Sequence, residues 1–199
     1  MHFQIVSPSS CVEPEQILLA QTHLQGLAHQ VTLAEHVMAQ YRYLAGSVEQ
    51  RIADLKRACL DPDIDAIWCA RGGTGASQLL PYLGDWMLNK PIIGYSDSTV
   101  LLNYVAMHGG QALHAPVFQE IACKNLAHNP ISADALEVIR LLDANTAQNA
   151  NTAQRHAYDL QPVNSIAQQA YALHDKGLSG KVLGGNLTVL CTLQGTGNA

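Results

Sequence analysis

The sequence predicts an α/β fold with a parallel sheet of the flavodoxin or Rossmann type. Two observations lead to this prediction. Short apolar segments of strand length alternate along residues 3–114 with longer segments of helical periodicity. Glycines and small polar residues follow several of the strand-like segments, where the next helix should begin. Strands that alternate with helices in this way form βαβ crossovers, which cover both faces of a mainly parallel sheet.

Individual elements follow from the same patterns. The predicted strands are residues 3–6, 29–33, 65–70, 91–95 and 112–114. The predicted helices are residues 14–27 with a proline at the start, one opened by residues 47–50, a short one through residues 79–80, and residues 98–108. The sequence SVEQ at residues 47–50 fits a capping box, because Ser47 and Gln50 can each bond the other's backbone N–H.

Three polar loops follow predicted strands, at residues 7–10, 71–75 and 95–98. In parallel sheets, ligands bind at the carboxyl ends of the strands. We therefore expect these loops to converge on one edge of the sheet.

The chain changes character after the predicted domain, which covers residues 1–143. Residues 144–148 (ANTAQ) are repeated at residues 150–154, and this polar stretch predicts a linker over residues 144–165. Apolar residues return in residues 166–199, with a helix-like run at residues 187–193. This last segment is shorter than the ~40 residues that an independent core usually needs, so we expect the beginning of a second, incomplete domain.

Composition excludes several classes of function. A net charge of −5 gives no reason to expect nucleic acid or an anionic membrane as a partner. No apolar run approaches the roughly 20 residues that span a bilayer, and the first residues do not resemble a signal peptide, so we expect a cytoplasmic protein. Five cysteines without a C-x-x-C pair and nine histidines without metal-ligand spacing predict neither a metal site nor a cofactor.

Ser96 is the candidate nucleophile. It lies in the sequence IGYSDST at residues 93–99, which passes directly from a strand into a helix. A side chain at such a turn projects from the sheet edge, and the N–H groups at the helix start suit a developing oxyanion. The alternative is that Ser96, Asp97 and Ser98 only cap the helix.

The glycine turn at residues 71–75 (RGGTG) is the second candidate feature. Its glycines permit positive φ and close approach of the backbone to a ligand. It lacks the lysine of a P-loop. Either it supplies an oxyanion N–H beside Ser96, or it is only a tight turn between strand and helix.

Four segments in one order resemble the LD-carboxypeptidase family: YLAG at residues 43–46, residues 61–73, GYSD at residues 94–97 and LGGNL at residues 183–187. The resemblance implies a serine peptidase that releases terminal D-alanine from muramoyl tetrapeptide, with a smaller β-rich carboxyl-terminal domain and a homodimeric state. It implies Ser96 as the nucleophile of a Ser-Glu-His triad. It also implies the backbone N–H of Asp97 and the Gly72–Gly73 turn as oxyanion and substrate-binding groups, with no cofactor.

Several expectations depend on where the sequence departs from that family. Thr74 replaces an aromatic residue and should change the pocket wall. The family's triad Glu and His should lie beyond residue 199, so residues 1–199 should be weakly active, and the helix at residues 187–193 should leave its apolar face uncovered or covered by a partner. We expect His114 to be a hydrogen-bonded structural histidine, and Glu120 and Glu137 to be exposed. A self-immunity peptidase for a peptide-nucleotide antibiotic and a non-catalytic binding module remain alternatives.

Overall fold

The computed structural model describes residues 1–125, 137–140, 142 and 185–193. The chain divides into two compact units, Met1–Asp143 with Leu183–Ala199, and Ala144–Val182. The second unit lies outside the described residues, as do the predicted linker and most of the predicted second domain. Those predictions stay predictions.

Five parallel strands form a single sheet with the order β2-β1-β3-β4-β5. The strands are β1 (His2–Val6), β2 (Gln30–Leu33), β3 (Ala66–Cys69), β4 (Ile92–Gly94) and β5 (Ala112–His114). This is the doubly wound order of flavodoxin-like folds, and it reverses direction between β1 and β3. The predicted α/β class is confirmed, and every strand agrees with its predicted bounds to within one residue.

Helices cover both faces of the sheet. The α-helices are α1 (Pro14–Gly26), α2 (Val48–Leu60), α3 (Thr99–Met107), α4 (Phe118–Asn125) and α5 (Leu187–Leu193), and 3-10 helices occupy Ala76–Tyr82, Asp85–Leu88 and Ser96–Ser98. Residues along each strand alternate between two cores, because successive side chains of a strand point to opposite faces. On β3, Trp68 packs with Phe3 and Phe118 beneath α1 and α4, whereas Ile67 packs with the α2 and α3 side.

The capping box that begins α2 forms as predicted. The Gln50 N–H donates to Ser47 Oγ at 3.3 Å, and the Ser47 N–H donates to Gln50 Oε1 at 2.9 Å. These reciprocal bonds satisfy two N–H groups that would otherwise lack partners at the helix start.

The helix α5 packs against α3, which corrects the expectation of an uncovered apolar face. Val189 and Leu190 are partly buried against the core on the α3 side. The segment before the helix also contacts α3, since the Asn186 N–H donates to Thr99 Oγ1 at 3.1 Å. A side chain at Gly185 would overlap Thr99. The glycine there permits this close approach of α5 to the start of α3.

Candidate active site

The backbone at Ser96 is strained. Its φ is 60°, in the left-handed region, at the point where β4 passes into the 3-10 helix Ser96–Ser98 and then α3. This conformation costs a residue with a side chain about 1–2 kcal/mol. Such residues persist only where the surroundings hold them, and they concentrate at functional sites. Neither Tyr95, the N-cap of the 3-10 helix, nor Ser98, the N-cap of α3, forms a side-chain cap hydrogen bond, so simple capping does not explain the motif.

Gly72 lies directly against the Ser96 side chain. A Cβ atom added at Gly72 would lie 2.8 Å from Ser96 Cβ and 3.1 Å from Ser96 Oγ, which is closer than real Cβ contacts allow. The turn after β3 and the turn after β4 therefore meet, as the sequence predicted. Ser96 is half-buried, and its side chain lies against the Gly72 backbone at this point.

Ser10 anchors the glycine turn from the loop that follows β1. Its N–H donates to the Gly72 carbonyl at 3.3 Å, and its Oγ accepts from the Thr74 N–H at 3.1 Å. Gly73 between them has a φ of 106°, and a Cβ there would overlap Ser10 Oγ. All three predicted loops thus converge at one edge of the sheet. The sequence pointed to the loop at residues 7–10 but gave no reason to single out Ser10.

Asp97 is buried, with 7% of its surface exposed, and its Oδ2 accepts the Ala76 N–H at 2.8 Å. The carboxylate thereby fixes the start of the 3-10 helix Ala76–Tyr82 next to Ser96. This contact gives the Asp97 side chain a structural role, whereas the predicted oxyanion role concerns its backbone N–H and stays a prediction.

Arg51 links the loop after β1 to the glycine turn after β3 through hydrogen bonds. It is 2% exposed on α2, and its Nη1 donates to the carbonyl oxygens of Pro8 at 2.9 Å and Gly75 at 3.0 Å. Its Nη2 donates to Gln78 Oε1 at 2.6 Å. Burial lowers the pKa of Arg51, while the negative charge of Asp97 raises it. No pattern in the sequence marks Arg51 as a buried residue near the site, because an arginine on an amphipathic helix usually faces solvent.

These loops line a cavity of about 300 Å³. Its lining combines the glycine turn, the Ser96 turn and the beginning of α4: Arg71, Gly72, Gly73, Tyr95, Ser96, Val117, Gln119 and Glu120. Thr74 is exposed and is not part of the lining, so the expected change of the pocket wall is not seen here.

Comparison with known proteins identifies the family of the chain. The family model for the LD-carboxypeptidase N-terminal domain, of peptidase family S66, matches residues 3–115. The chain belongs to this family. The murein tetrapeptide carboxypeptidase of Pseudomonas aeruginosa is 36% identical over 199 aligned residues, which cover 96% of this chain and 60% of the relative.

Two solved structures share the fold of this LD-carboxypeptidase domain. The muramoyltetrapeptide carboxypeptidase from Oxalobacter formigenes is 22% identical with a TM-score of 0.71, covering 100% of this chain and 61% of that chain. The microcin C7 self-immunity protein without ligand is 20% identical with a TM-score of 0.71, covering 98% and 63%. The chain spans about 60% of the length of these relatives.

Glu120 is a site residue that the sequence analysis placed wrongly at the surface. It is half-buried in the cavity that Ser96 lines, and its Oε1 accepts a hydrogen bond from the Tyr95 hydroxyl, next to Ser96 in sequence. Glu137 is exposed as expected and pairs with Arg140 at 2.7 Å. No local pattern separates these two glutamates, because only the docking of α4 brings Glu120 to the cavity.

The two histidines that follow Ser96 in sequence do not bond to it. His114 is exposed and packs edge-on against the Tyr95 ring, without a side-chain hydrogen bond in the described structure, so the expected structural hydrogen bond is absent. His108 stacks on Tyr104 at the far end of α3. Among the described residues, Ser96 Oγ has no hydrogen-bond partner, and the triad Glu and His remain predictions.

Burial raises the pKa of Cys69, at the end of β3, to about 12, so its thiol stays protonated and unreactive at neutral pH. Within residues 1–125, 137–140, 142 and 185–193, no cluster of three or more His, Cys, Asp or Glu side chains is arranged to hold a metal ion. No helix in these ranges has the length and hydrophobicity to cross a bilayer.

Proposed function

We propose that this chain carries the nucleophile domain of a serine carboxypeptidase that releases terminal D-alanine from muramoyl tetrapeptide during peptidoglycan recycling. The observation that carries the proposal is the strained Ser96, which lies against the Gly72–Gly73 turn in the lining of a cavity. Membership of the LD-carboxypeptidase family and the similarity to a murein tetrapeptide carboxypeptidase support the choice of substrate.

The proposed reaction proceeds through an acyl-enzyme. Ser96 Oγ attacks the carbonyl carbon of the amide that joins diaminopimelate or lysine to D-alanine, and its proton passes to a general base. The backbone N–H of Asp97 and those of the Gly72–Gly73 turn bind the resulting oxyanion. The C–N bond then breaks, and the amine of D-alanine takes the proton. Water attacks the Ser96 ester, which releases the tripeptide acid and restores the hydroxyl.

The general base belongs to the predicted Ser-Glu-His triad, whose Glu and His we place beyond residue 199. A serine hydroxyl is a weak nucleophile at neutral pH without an adjacent base. Residues 1–199 alone should therefore release D-alanine far more slowly than a protein that continues beyond them.

We further propose that the enzyme is a homodimer in the cytoplasm and needs no metal or cofactor, as the family resemblance implies. Sedimentation at micromolar concentration and cell fractionation test the first two statements. Activity that disappears with a chelator and returns with zinc would contradict the third.

D-alanine release from muramoyl tetrapeptide tests the main proposal. It is compared for residues 1–199 and for the complete reading frame that contains them, each with and without Ser96→Ala. We expect release by the longer protein that depends on Ser96. Release that survives Ser96→Ala would refute the assignment of the nucleophile. Equal rates for the two lengths would place the base within these 199 residues and make His114 and His108 the first residues to substitute.

The fold likeness to the microcin C7 self-immunity protein supports a second candidate, a peptidase acting on a peptide-nucleotide conjugate. Both reactions use the same nucleophile and glycine turn. Parallel assays with a tetrapeptide and an aminoacyl sulfamoyl nucleoside separate them, because each candidate requires preference for its own substrate. A third alternative, a non-catalytic binding module, predicts tight tetrapeptide binding with no turnover by either length of the protein.

A further inference from the structure

Arg71 brings a positive charge to the cavity that contains Ser96. It follows β3 directly and precedes Gly72, the residue that touches the Ser96 side chain. Among the described residues that line the cavity, Arg71 is the only cation and Glu120 the only anion. Arg71 therefore directly precedes the residue whose backbone contacts the candidate nucleophile.

One hydrogen bond to a described residue holds the Arg71 side chain. Its Nη1 donates to the Cys11 carbonyl at 2.7 Å, and the side chain is half-buried. A guanidinium carries several N–H donors in a planar fork, so donors remain for a ligand. In the described part of the chain Arg71 forms no ion pair, and Glu120 accepts a hydrogen bond from Tyr95.

This inference rests on the proposed function. We propose that Arg71 binds the α-carboxylate of the leaving D-amino acid and so restricts cleavage to the free carboxyl end of the peptide. That carboxylate is attached to the carbon next to the scissile nitrogen, so it must lie close to Ser96 when the amide is attacked. A guanidinium fork matches a carboxylate in two parallel hydrogen bonds. Half-burial strengthens the pairing relative to an exposed pair, because less water screens it.

A purely structural Arg71 would act only through its bond to Cys11. Arg71→Gln separates the two roles, since the amide keeps an N–H donor but removes the charge. Arg71→Lys keeps the charge and loses the fork. Arg57→Gln is the matched control, because Arg57 is exposed on α2 and pairs with Glu35 at 2.8 Å, away from the Ser96 cavity.

The experiment compares two substrates for the complete reading frame: the tetrapeptide with its free D-alanine carboxylate and the same peptide ending in D-alaninamide. We expect the unsubstituted protein and Arg57→Gln to prefer the acid by about 100-fold in kcat/KM, as loss of a charge-assisted hydrogen bond implies. Arg71→Gln should lose this preference, mainly through a higher KM for the acid, with the amide changed by less than about threefold. Arg71→Lys should retain part of it.

Binding gives a second measurement that does not depend on turnover. In the Ser96→Ala background, calorimetry should show tighter binding of the acid than of the amide, and adding Arg71→Gln should make the two equal. Two outcomes would overturn the inference about Arg71: equal losses of activity on both substrates, or a preference for the acid that survives Arg71→Gln. The proposed function would still hold in either case if D-alanine release depended on Ser96. Absence of Ser96-dependent D-alanine release would refute only the proposed function. The calorimetric comparison of the acid and the amide, with and without Arg71→Gln, would still decide whether Arg71 binds the carboxylate.

Discussion

Ser47 and Ser96 both precede a helix, yet the structure uses them in opposite ways. Ser47 has an extended backbone with a φ of −73°, and its hydroxyl accepts the N–H of Gln50 in a capping box. Ser96 has a φ of 60°, and its hydroxyl has no hydrogen-bond partner among the described residues. Its side chain instead lies against the Gly72 backbone, in the lining of a cavity.

The comparison shows how a serine at a helix start acquires its role. Ser47 lowers the free energy of its helix by satisfying an N–H group that would otherwise lack a partner. Ser96 occupies a conformation that raises the free energy of the folded state, and the surrounding loops compensate. Backbone conformation and the hydrogen bonding of the hydroxyl among the described residues separate the two serines, whereas residue type and position before a helix do not.

Ser96→Ala should have the largest effect of these substitutions, and this effect is a loss of catalytic activity. Without the attacking oxygen, kcat/KM for D-alanine release should fall by about 10⁴-fold, since binding and oxyanion groups alone leave little catalysis. Ser47→Ala should leave kcat/KM within about twofold, because it lies outside the cavity. If both substitutions had similar effects on turnover, the distinction between the two serines would be wrong.

Arg51→Met tests what holds the loops around Ser96. Loss of the guanidinium leaves the buried carbonyls of Pro8 and Gly75 without their donor, so the free energy of unfolding should fall by about 3 kcal/mol. Urea denaturation measures this value. The matched control is Arg57→Met on the same helix, which is exposed and should change stability by less than about 0.5 kcal/mol.

Gly72→Ala tests the contact between the two turns. The added methyl group would lie 2.8 Å from Ser96 Cβ, so it must displace Ser96. We expect kcat/KM for D-alanine release to fall by about 100-fold, because small displacements of a reacting group have effects of this size. Gly26→Ala is the control, since a Cβ at Gly26 contacts nothing within 4 Å. Unchanged turnover by Gly72→Ala would mean that this contact does not position the nucleophile.

Ser47→Ala should lower the free energy of unfolding by about 1 kcal/mol, the usual cost of losing an N-cap. Thermal and urea denaturation measure the change. Ser47→Thr is the control that keeps the capping oxygen, and it should retain most of the stability. A loss as large as that of alanine would show that the capping bond is not responsible.

Ser96→Gly should have the smallest effect and the opposite sign. Glycine adopts positive φ without strain, so the substitution lowers the free energy of the folded state. The greater conformational entropy of the unfolded glycine chain cancels part of this stabilisation. The free energy of unfolding should rise by about 0.5 kcal/mol, although D-alanine release is lost. A decrease comparable to that of Ser47→Ala would indicate that Ser96 also stabilises its helix.

The sequence by itself determined the elements that depend on local pattern. Strand bounds, the capping box at residues 47–50 and the parallel sheet follow from periodicity and short-range hydrogen bonding. Convergence of the loops at residues 7–10, 71–75 and 95–98 followed as well, because all carboxyl ends of a parallel sheet meet at one edge.

Only the tertiary structure decided which side chains meet at that edge and how. Arg51 became a buried link, Glu120 entered the cavity beside Tyr95, and Val189 packed against α3. Each depends on contacts between segments far apart in the chain, which no window of sequence contains. The positive φ of Ser96 has the same origin, since local sterics disfavour it and only the packed surroundings hold it.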